Sequence, residues 1–253
     1  MAIDAVIFDW GGTLTPWHPV DLAEQWRCYA QAYAAAASAA VGVSGAAGAG
    51  EAADLASRLA ELEAAAWVAC RDAHTSARID EIVAAAGVDI SSPGHVAGSE
   101  AYFGFWTPHS YTDPDAEPLF DRLHERGIKV GVLSNTIWPR RFHEDVFRRD
   151  GVLDRIDGAV YTSEVPWTKP HPEAFHAAMQ AVGVDDPARA VFVGDRLFDD
   201  VYGAGQAGMR TVFVPHTTLP AGQLGPTEGV PDATVERLAE VAGVVERWSR
   251  DNG

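Results

Sequence analysis

Short apolar runs that alternate with longer helical stretches are the feature that most limits the folds open to this chain. Five runs rich in Val, Ile and Phe recur along the sequence. They are AIDAVIFDW (2–10), GIKVGVLSN (127–135), DGAVYTS (157–163), RAVFVGD (189–195) and MRTVFVP (209–215). Such runs are typical of buried strands, and their alternation with helices is typical of a parallel sheet. We therefore predict an α/β fold with a Rossmann-like parallel sheet core and helices on both faces.

Five helices are predicted around this sheet. Proline stands near the start of several of them, which fits the first helical turn because that position needs no backbone N–H. The predicted helices span 114–126, 139–150, 172–182, 199–207 and 233–248.

A long Ala-rich segment, residues 17–106, breaks the alternation of strands and helices. It is predicted to be helical throughout, and it lies between the first and second strands. We therefore predict a core built from residues 1–15 and 109–253, with an all-helical domain of residues 16–108 inserted into it. The proline-rich stretches TPWHPVD and WTPHSYTDPD form the two connectors.

Charge and cysteine content exclude several classes of function. The chain has 253 residues, a formal net charge of −17 and only two lysines. Nucleic acids and anionic membranes are bound by clustered Lys and Arg, so neither is an expected partner. Cys28 and Cys70 lack metal-ligand spacing, and acidic residues interrupt the first apolar run, which argues against a signal peptide. We expect a cytoplasmic protein, and no pattern indicates its oligomeric state.

One uncharged stretch, residues 29–50, is as long as a membrane span. It consists mostly of Ala and Gly and is too weakly apolar to insert well. We predict instead a helix that ends near Gly42, followed by a flexible low-complexity turn.

Polar side chains follow four of the predicted strands at their carboxyl ends. They are Asp9, Ser134, Asn135, Lys169, Asp195, Asp199 and Asp200. Because ligands of open parallel sheets bind beyond this edge, we expect these side chains to share one site. Crowded carboxylates require a cation, and oxygen ligands are those that Mg²⁺ prefers.

Four motifs in this order resemble those of the haloacid dehalogenase-like hydrolase superfamily, in its subgroup with a helical cap. The motifs are DWGGT with Asp9 and Thr13, VLSN with Ser134, TKPHPEAF with Lys169, and VGDRLFDDVYGA with Asp195 and Asp200. The resemblance covers the core from its first strand to its last. The inserted segment matches the family's cap only in position and helical character.

The resemblance implies a Mg²⁺-dependent phosphatase that hydrolyses a small phosphorylated metabolite through an aspartyl-phosphate intermediate. The residues it places at the phosphoryl group are Asp9 as nucleophile, with Ser134, Asn135, Lys169 and Gly12 as catalytic or binding groups. The metal ligands it implies are Asp9, Gly11 through its backbone carbonyl, Asp195 and Asp200. Asp199 stays open between a supporting carboxylate and a helix cap.

Gly11 departs from the family pattern, because phosphatases of the family usually carry there a second Asp, the general acid and base. Two kinds of family member that lack this Asp do not match the chain. Dehalogenases use no metal and need an Arg early in the cap, and residues 29–50 contain no Arg. Phosphonoacetaldehyde hydrolases use a cap lysine, and residues 16–108 contain no lysine. The alternatives kept beside the phosphatase are a non-catalytic or regulatory domain and a 2-haloacid dehalogenase.

A substitute for the missing acid could come from one of three histidines, His18, His74 and His109, because histidine is the commonest general acid. Aromatic residues near the connectors, Trp17 and Trp106 among them, are expected to pack the inserted segment onto the core. They could also line a pocket for an apolar or sugar-like substrate.

Overall fold

A six-stranded sheet, in which each strand pairs in parallel with its neighbours, forms the centre of the fold in this computed structural model. The structure describes residues 2–41, 49–215 and 226–250. The strands are β1 (Ala5–Phe8), β2 (Lys129–Ser134), β3 (Gly158–Tyr161), β4 (Ala190–Gly194), β5 (Arg210–Phe213) and β6 (Ala233–Thr234), in the order β3-β2-β1-β4-β5-β6. The predicted fold class is confirmed.

Strand β1 lies at the middle of the sheet and is buried along its whole length. It pairs with β2 on one side and β4 on the other, so that Phe8 stands opposite Val132 and Val193. A strand buried on both faces has a continuous apolar sequence, as the run AVIF has here. This register brings Asp9 and Asp195, which follow β1 and β4, to the same edge of the sheet.

The described part of the chain contains nine α-helices. They are α1 (Leu22–Val41), α2 (Ala49–Ala73), α3 (Ile79–Ala85), α4 (Pro93–Trp106), α5 (Ala116–His124), α6 (Arg140–Arg149), α7 (Pro172–Ala181), α8 (Gly203–Gln206) and α9 (Val241–Arg250). Helices α5, α6 and α7 lie where three helices were predicted; α5 is shorter by two residues at each end, α6 by one at each end, and α7 by one at its C-terminal end only. In α7, Pro172 occupies the first turn as its sequence indicated.

The predicted helix 233–248 was wrong in its first half. Residues Ala233–Thr234 form the sixth strand, and the helix begins only at Val241. The cause is a side-chain contact, because the Asp232 carboxylate accepts hydrogen bonds from the backbone N–H and the hydroxyl of Thr211, at 2.8 and 3.1 Å. These bonds hold the chain extended beside β5, where a helix would have to turn away.

The described chain divides into two compact units. The core unit consists of residues 1–17, 74–76 and 111–253, and the helical unit consists of residues 18–73 and 77–110. Within the helical unit, α1 carries the buried aromatic rings Trp26 and Tyr29, and Trp26 contacts Tyr102 of α4 with ring centres 4.7 Å apart.

The Ala-rich helix α1 ends at Val41, as predicted. Residues 42–48, on which most of the predicted flexible turn falls, lie outside the described residues, and α2 begins at Ala49. Among the helices that the structure describes, none is long and apolar enough to cross a membrane.

The close approach of β3 to α7 gives a test of the fold. A Cβ added to Gly158 would overlap the backbone carbonyl of Ala181, so we expect Gly158→Ala to destabilise the core. Overpacking of this kind typically lowers the free energy of unfolding by about 1–3 kcal/mol. Gly205→Ala in α8 is the matched control, since nothing lies within 4 Å of its added Cβ. Equal denaturant midpoints for the two variants would contradict this packing.

Candidate active site

A buried lysine between two buried carboxylates forms the centre of the site. The Lys169 Nζ lies 2.6 Å from Asp9 Oδ1 and 2.7 Å from Asp200 Oδ1. The side chains of Lys169, Asp9 and Asp200 are 2%, 8% and 0% exposed, so these ion pairs are shielded from water. The structure thus brings together three residues that are separated in the sequence and follow different strands.

Asp195 completes an acidic cluster with this pair. Three carboxylate oxygens, one each from Asp9, Asp195 and Asp200, all lie within 4.8 Å of one another. Lys169 and Arg196, whose Nε lies 3.7 Å from Asp195 Oδ2, balance two of the three carboxylates, so one negative charge remains when all are ionised. The Asp195 Oδ1 atom is buried and has no hydrogen-bond partner. A divalent cation bound by oxygen atoms fits this donor set, because it would supply the missing charge and a partner for that atom.

The charges in the cluster change the pKa of each member. Burial, aided by the nearby Asp200 and opposed by Lys169, raises the pKa of Asp9 to about 6. Burial, together with the charges of Asp9 and Asp200, also raises the pKa of Asp195 well above its usual range. Burial alone would lower the pKa of Lys169, but the two carboxylates outweigh it and raise that pKa. Lys169 is therefore cationic, and the acids share a surplus of negative charge.

Asp200 is held by a π-helical turn, Leu197–Tyr202, at the start of the predicted helix 199–207. Its Oδ2 accepts a hydrogen bond of 2.9 Å from the backbone N–H of Arg196, while Oδ1 faces Lys169. Asp200 therefore joins the cluster. Asp199 is less buried and lies outside the three-carboxylate group, although burial raises its pKa.

Asn135 positions the lysine. Its amide nitrogen donates to the backbone carbonyl of Lys169 at 3.0 Å, and its amide oxygen accepts from the Lys169 N–H at 2.9 Å. Ser134, at the end of β2, is buried. Contacts of Ser134 and Asn135 with a substrate stay a prediction.

The glycine pair after β1 makes a tight turn. The backbone N–H of Gly12 donates to the carbonyl of Thr15 at 2.7 Å, and its φ of +94° is one that residues with a Cβ rarely adopt. Gly11 has more room, because an added Cβ would meet the ring of Trp17 at 3.7 Å. The metal contact of the Gly11 carbonyl and the substrate contact of Gly12 stay predictions.

Sequence reasoning missed a three-residue segment, 74–76, that belongs to the core unit although it lies inside the helical insertion. The His74 carbonyl accepts from the Thr168 N–H at 3.0 Å, and the Ser76 hydroxyl donates to the Val165 carbonyl at 2.6 Å. Both bonds hold the loop that leads to Lys169. No sequence signal distinguishes this segment from its helical neighbours.

The structure separates the three candidate acids, His18, His74 and His109, by the unit to which each belongs. His18 and His109 belong to the helical unit, where their ring centres are 6.3 Å apart. His74 belongs to the core unit, and its Nδ1 is buried without a hydrogen-bond partner. Of the three, His74 is the one that the structure joins to the loop of Lys169.

The family follows from comparison with known proteins. The family of haloacid dehalogenase-like hydrolases matches residues 3–208. The chain belongs to this family. The glyceraldehyde 3-phosphate phosphatase of Methanopyrus kandleri is 30% identical over 156 residues, which are 62% of this chain and 64% of the relative. The chain spans less than two thirds of the length of this and similar curated relatives.

Solved structures of the haloacid dehalogenase-like family share the fold over nearly the whole chain. A phosphatase of this family from Thermococcus onnurineus has a TM-score of 0.61 at 24% identity and covers 96% of this chain and 98% of its own. A 2-haloacid dehalogenase from Pseudomonas syringae has a TM-score of 0.63 at 23% identity, covering 97% and 99%. Because similar folds carry both activities, the fold does not choose between them.

The raised pKa of Asp9 predicts how cation binding depends on pH. A carboxylate must lose its proton to bind a cation, so protons compete once the pH falls below about 6. We expect the affinity for Mg²⁺ to be at least about 10-fold lower at pH 5 than at pH 7.5. Isothermal titration calorimetry at the two pH values measures this. Equal affinities would remove Asp9 from the ligand set.

Proposed function

We propose that this protein is a Mg²⁺-dependent phosphatase that hydrolyses a small phosphorylated metabolite through an aspartyl-phosphate on Asp9. The observation that carries this proposal is the buried cluster of Lys169 with three carboxylates. A phosphate monoester is a dianion and is repelled by a nucleophilic carboxylate, so its hydrolysis needs positive charge at the phosphoryl group. The cluster holds one fixed cation and suits a second.

Asp9, Asp195 and Asp200, with the backbone carbonyl of Gly11, would hold the Mg²⁺. When bound, this ion supplies positive charge that lets phosphate oxygens approach the acidic cluster. The pairing of Lys169 with Asp9 and Asp200 leaves its charge beside the nucleophile. Lys169 can therefore stabilise negative charge on a phosphoryl oxygen while it orients Asp9.

The reaction has two balanced steps. In the first, a carboxylate oxygen of Asp9 forms a bond to phosphorus, the bond from phosphorus to the leaving oxygen breaks, and the leaving oxygen departs with the electron pair and takes a proton from water. In the second, water hydrolyses the acyl phosphate, which releases inorganic phosphate and restores the Asp9 carboxylate. Ser134 is proposed to hold a phosphoryl oxygen in both steps.

The substrate class rests on the relatives and on the inserted helices. Similar proteins are named glyceraldehyde 3-phosphate phosphatase and phosphoserine phosphatase, which act on small phosphorylated molecules. We propose that residues 16–108 act as a cap that selects among such substrates. The acidic cluster supports this function over 2-haloacid dehalogenation, which in this family proceeds without a metal.

Replacing the nucleophile tests the chemistry directly. Asp9→Asn should lower kcat for phosphate release by about 10³-fold or more, because an amide does not attack phosphorus. Asp185→Asn, which changes an exposed aspartate in the same way, should keep the parent's activity. Phosphate release from a panel of phosphomonoesters, with and without Mg²⁺, measures both variants. Activity of Asp9→Asn above a few per cent of the parent's would rule out this nucleophile.

The missing acid predicts which esters are hydrolysed. Without an acid at position 11, good leaving groups, such as the phenolates of aryl phosphates and the carboxylates of acyl phosphates, should leave faster than alkoxides. Gly11→Asp should speed alkyl phosphates by some part of the ~10²–10⁴-fold that acid catalysis contributes. A Cβ at position 11 meets only ordinary contacts with Trp17, whose apolar ring would raise the pKa of the new acid.

The measurement is the ratio of kcat/KM for an alkyl and an aryl phosphate in the parent and in Gly11→Asp. An unchanged ratio in a folded variant that binds Mg²⁺ would mean that another group already protonates the leaving oxygen. His74→Gln is then the first variant to test, because His74 is joined to the Lys169 loop. Turnover of no phosphate ester by either protein would favour the non-catalytic alternative.

A further inference from the structure

Trp17 contacts the acidic cluster through its polar atom. The indole N–H donates a hydrogen bond of 3.3 Å to Asp195 Oδ2. The Arg196 Nε lies 3.7 Å from the same oxygen, and its guanidinium carbon lies 5.6 Å from the Trp17 ring centre. Two donors therefore face one oxygen of the Asp195 carboxylate.

The other oxygen of Asp195, Oδ1, is buried and accepts no hydrogen bond. A hard divalent cation binds carboxylate oxygens that are not already engaged by donors, and groups that hold a ligand's second atom orient the first. Oδ1 is thus the oxygen of Asp195 that a cation would take.

The two glycines of the first motif make room for this arrangement. A Cβ at Gly12 would overlap both the Trp17 Nε1 and the Asp195 Oδ2, and the Cβ position of Gly11 faces the Trp17 ring. The indole therefore lies against the turn where a larger residue at position 12 would displace it. The position of the Trp17 indole therefore requires a residue without a Cβ at position 12.

We propose that Trp17 is a positioning residue for the cation site: its indole N–H fixes the Asp195 carboxylate so that Oδ1 is presented to the metal. This inference rests on the proposed function, since it needs a cation at Asp195. It assigns to Trp17 a polar role, whereas the sequence indicated that its ring packs or lines a substrate pocket. A purely packing residue would tolerate loss of the N–H if an aromatic ring remained.

The test compares variants that separate the N–H from the ring. Trp17→Phe keeps an aromatic ring without a donor, and Trp17→Gln supplies an amide N–H without the ring. We expect Trp17→Phe to weaken Mg²⁺ binding about 10-fold, the lower end of the range for groups that orient a metal ligand, because the bond is long. Trp17→Gln should bind within about 3-fold of the parent. Calorimetry without substrate measures both affinities.

Trp248→Phe is the matched control, because Trp248 also lies beneath an arginine, with Arg210 at 5.1 Å from its ring, but far along the chain from the site. It should bind Mg²⁺ as the parent does. We also expect Mg²⁺ to change the tryptophan fluorescence of the parent and of Trp248→Phe, and this change to be absent from Trp17→Phe. If Trp17→Phe does not fold, Trp17→Leu replaces it with the same expected loss.

The outcomes are distinct. Binding by folded Trp17→Phe equal to the parent's would overturn the positioning role and leave the proposed function intact. Equal weakening in Trp17→Phe and Trp17→Gln would assign the effect to the size and packing of the indole and overturn the hydrogen-bond role. A parent that binds no Mg²⁺ would overturn the proposed function, and the inference with it.

Discussion

The ion pairs of Lys169 with Asp9 and Asp200 are the contacts on which the rest of the site depends. A buried charge is strongly unfavourable unless it is paired, and the two carboxylates are paired because each contacts the Lys169 ammonium. The backbone of Lys169 is in turn held by the Asn135 amide, and the preceding Thr168 N–H donates to the His74 carbonyl. Much of the loop structure at this edge serves to place one ammonium group.

The parallel sheet makes that placement possible. Parallel pairing of β1 with β2 and β4 aligns the ends of three strands, so polar residues that follow them converge without any long-range sequence signal. This convergence also buries several carboxylates together, which leaves unfavourable negative charge away from water. This surplus of carboxylates makes the site suited to a divalent cation.

Gly11 and Trp17 lie together at the turn that follows β1. Position 11 has no side chain, and the Trp17 ring lies 3.7 Å from where a Cβ would stand. The indole N–H donates to Asp195 Oδ2, so a residue beside this turn contacts a carboxylate of the cluster.

The sequence by itself determined the fold class, the places of five strands along the chain and the acids Asp9, Asp195 and Asp200 at the sheet edge, because strand periodicity and strand-end chemistry are local patterns. It also identified the family motifs around Asp9 and Lys169. Only the tertiary structure decided that Asp232 would hold a sixth strand, that segment 74–76 joins the core unit, and that Trp17 bonds to Asp195. These three depend on contacts between residues far apart in the chain, where periodicity and propensity carry no information about which side chains will meet.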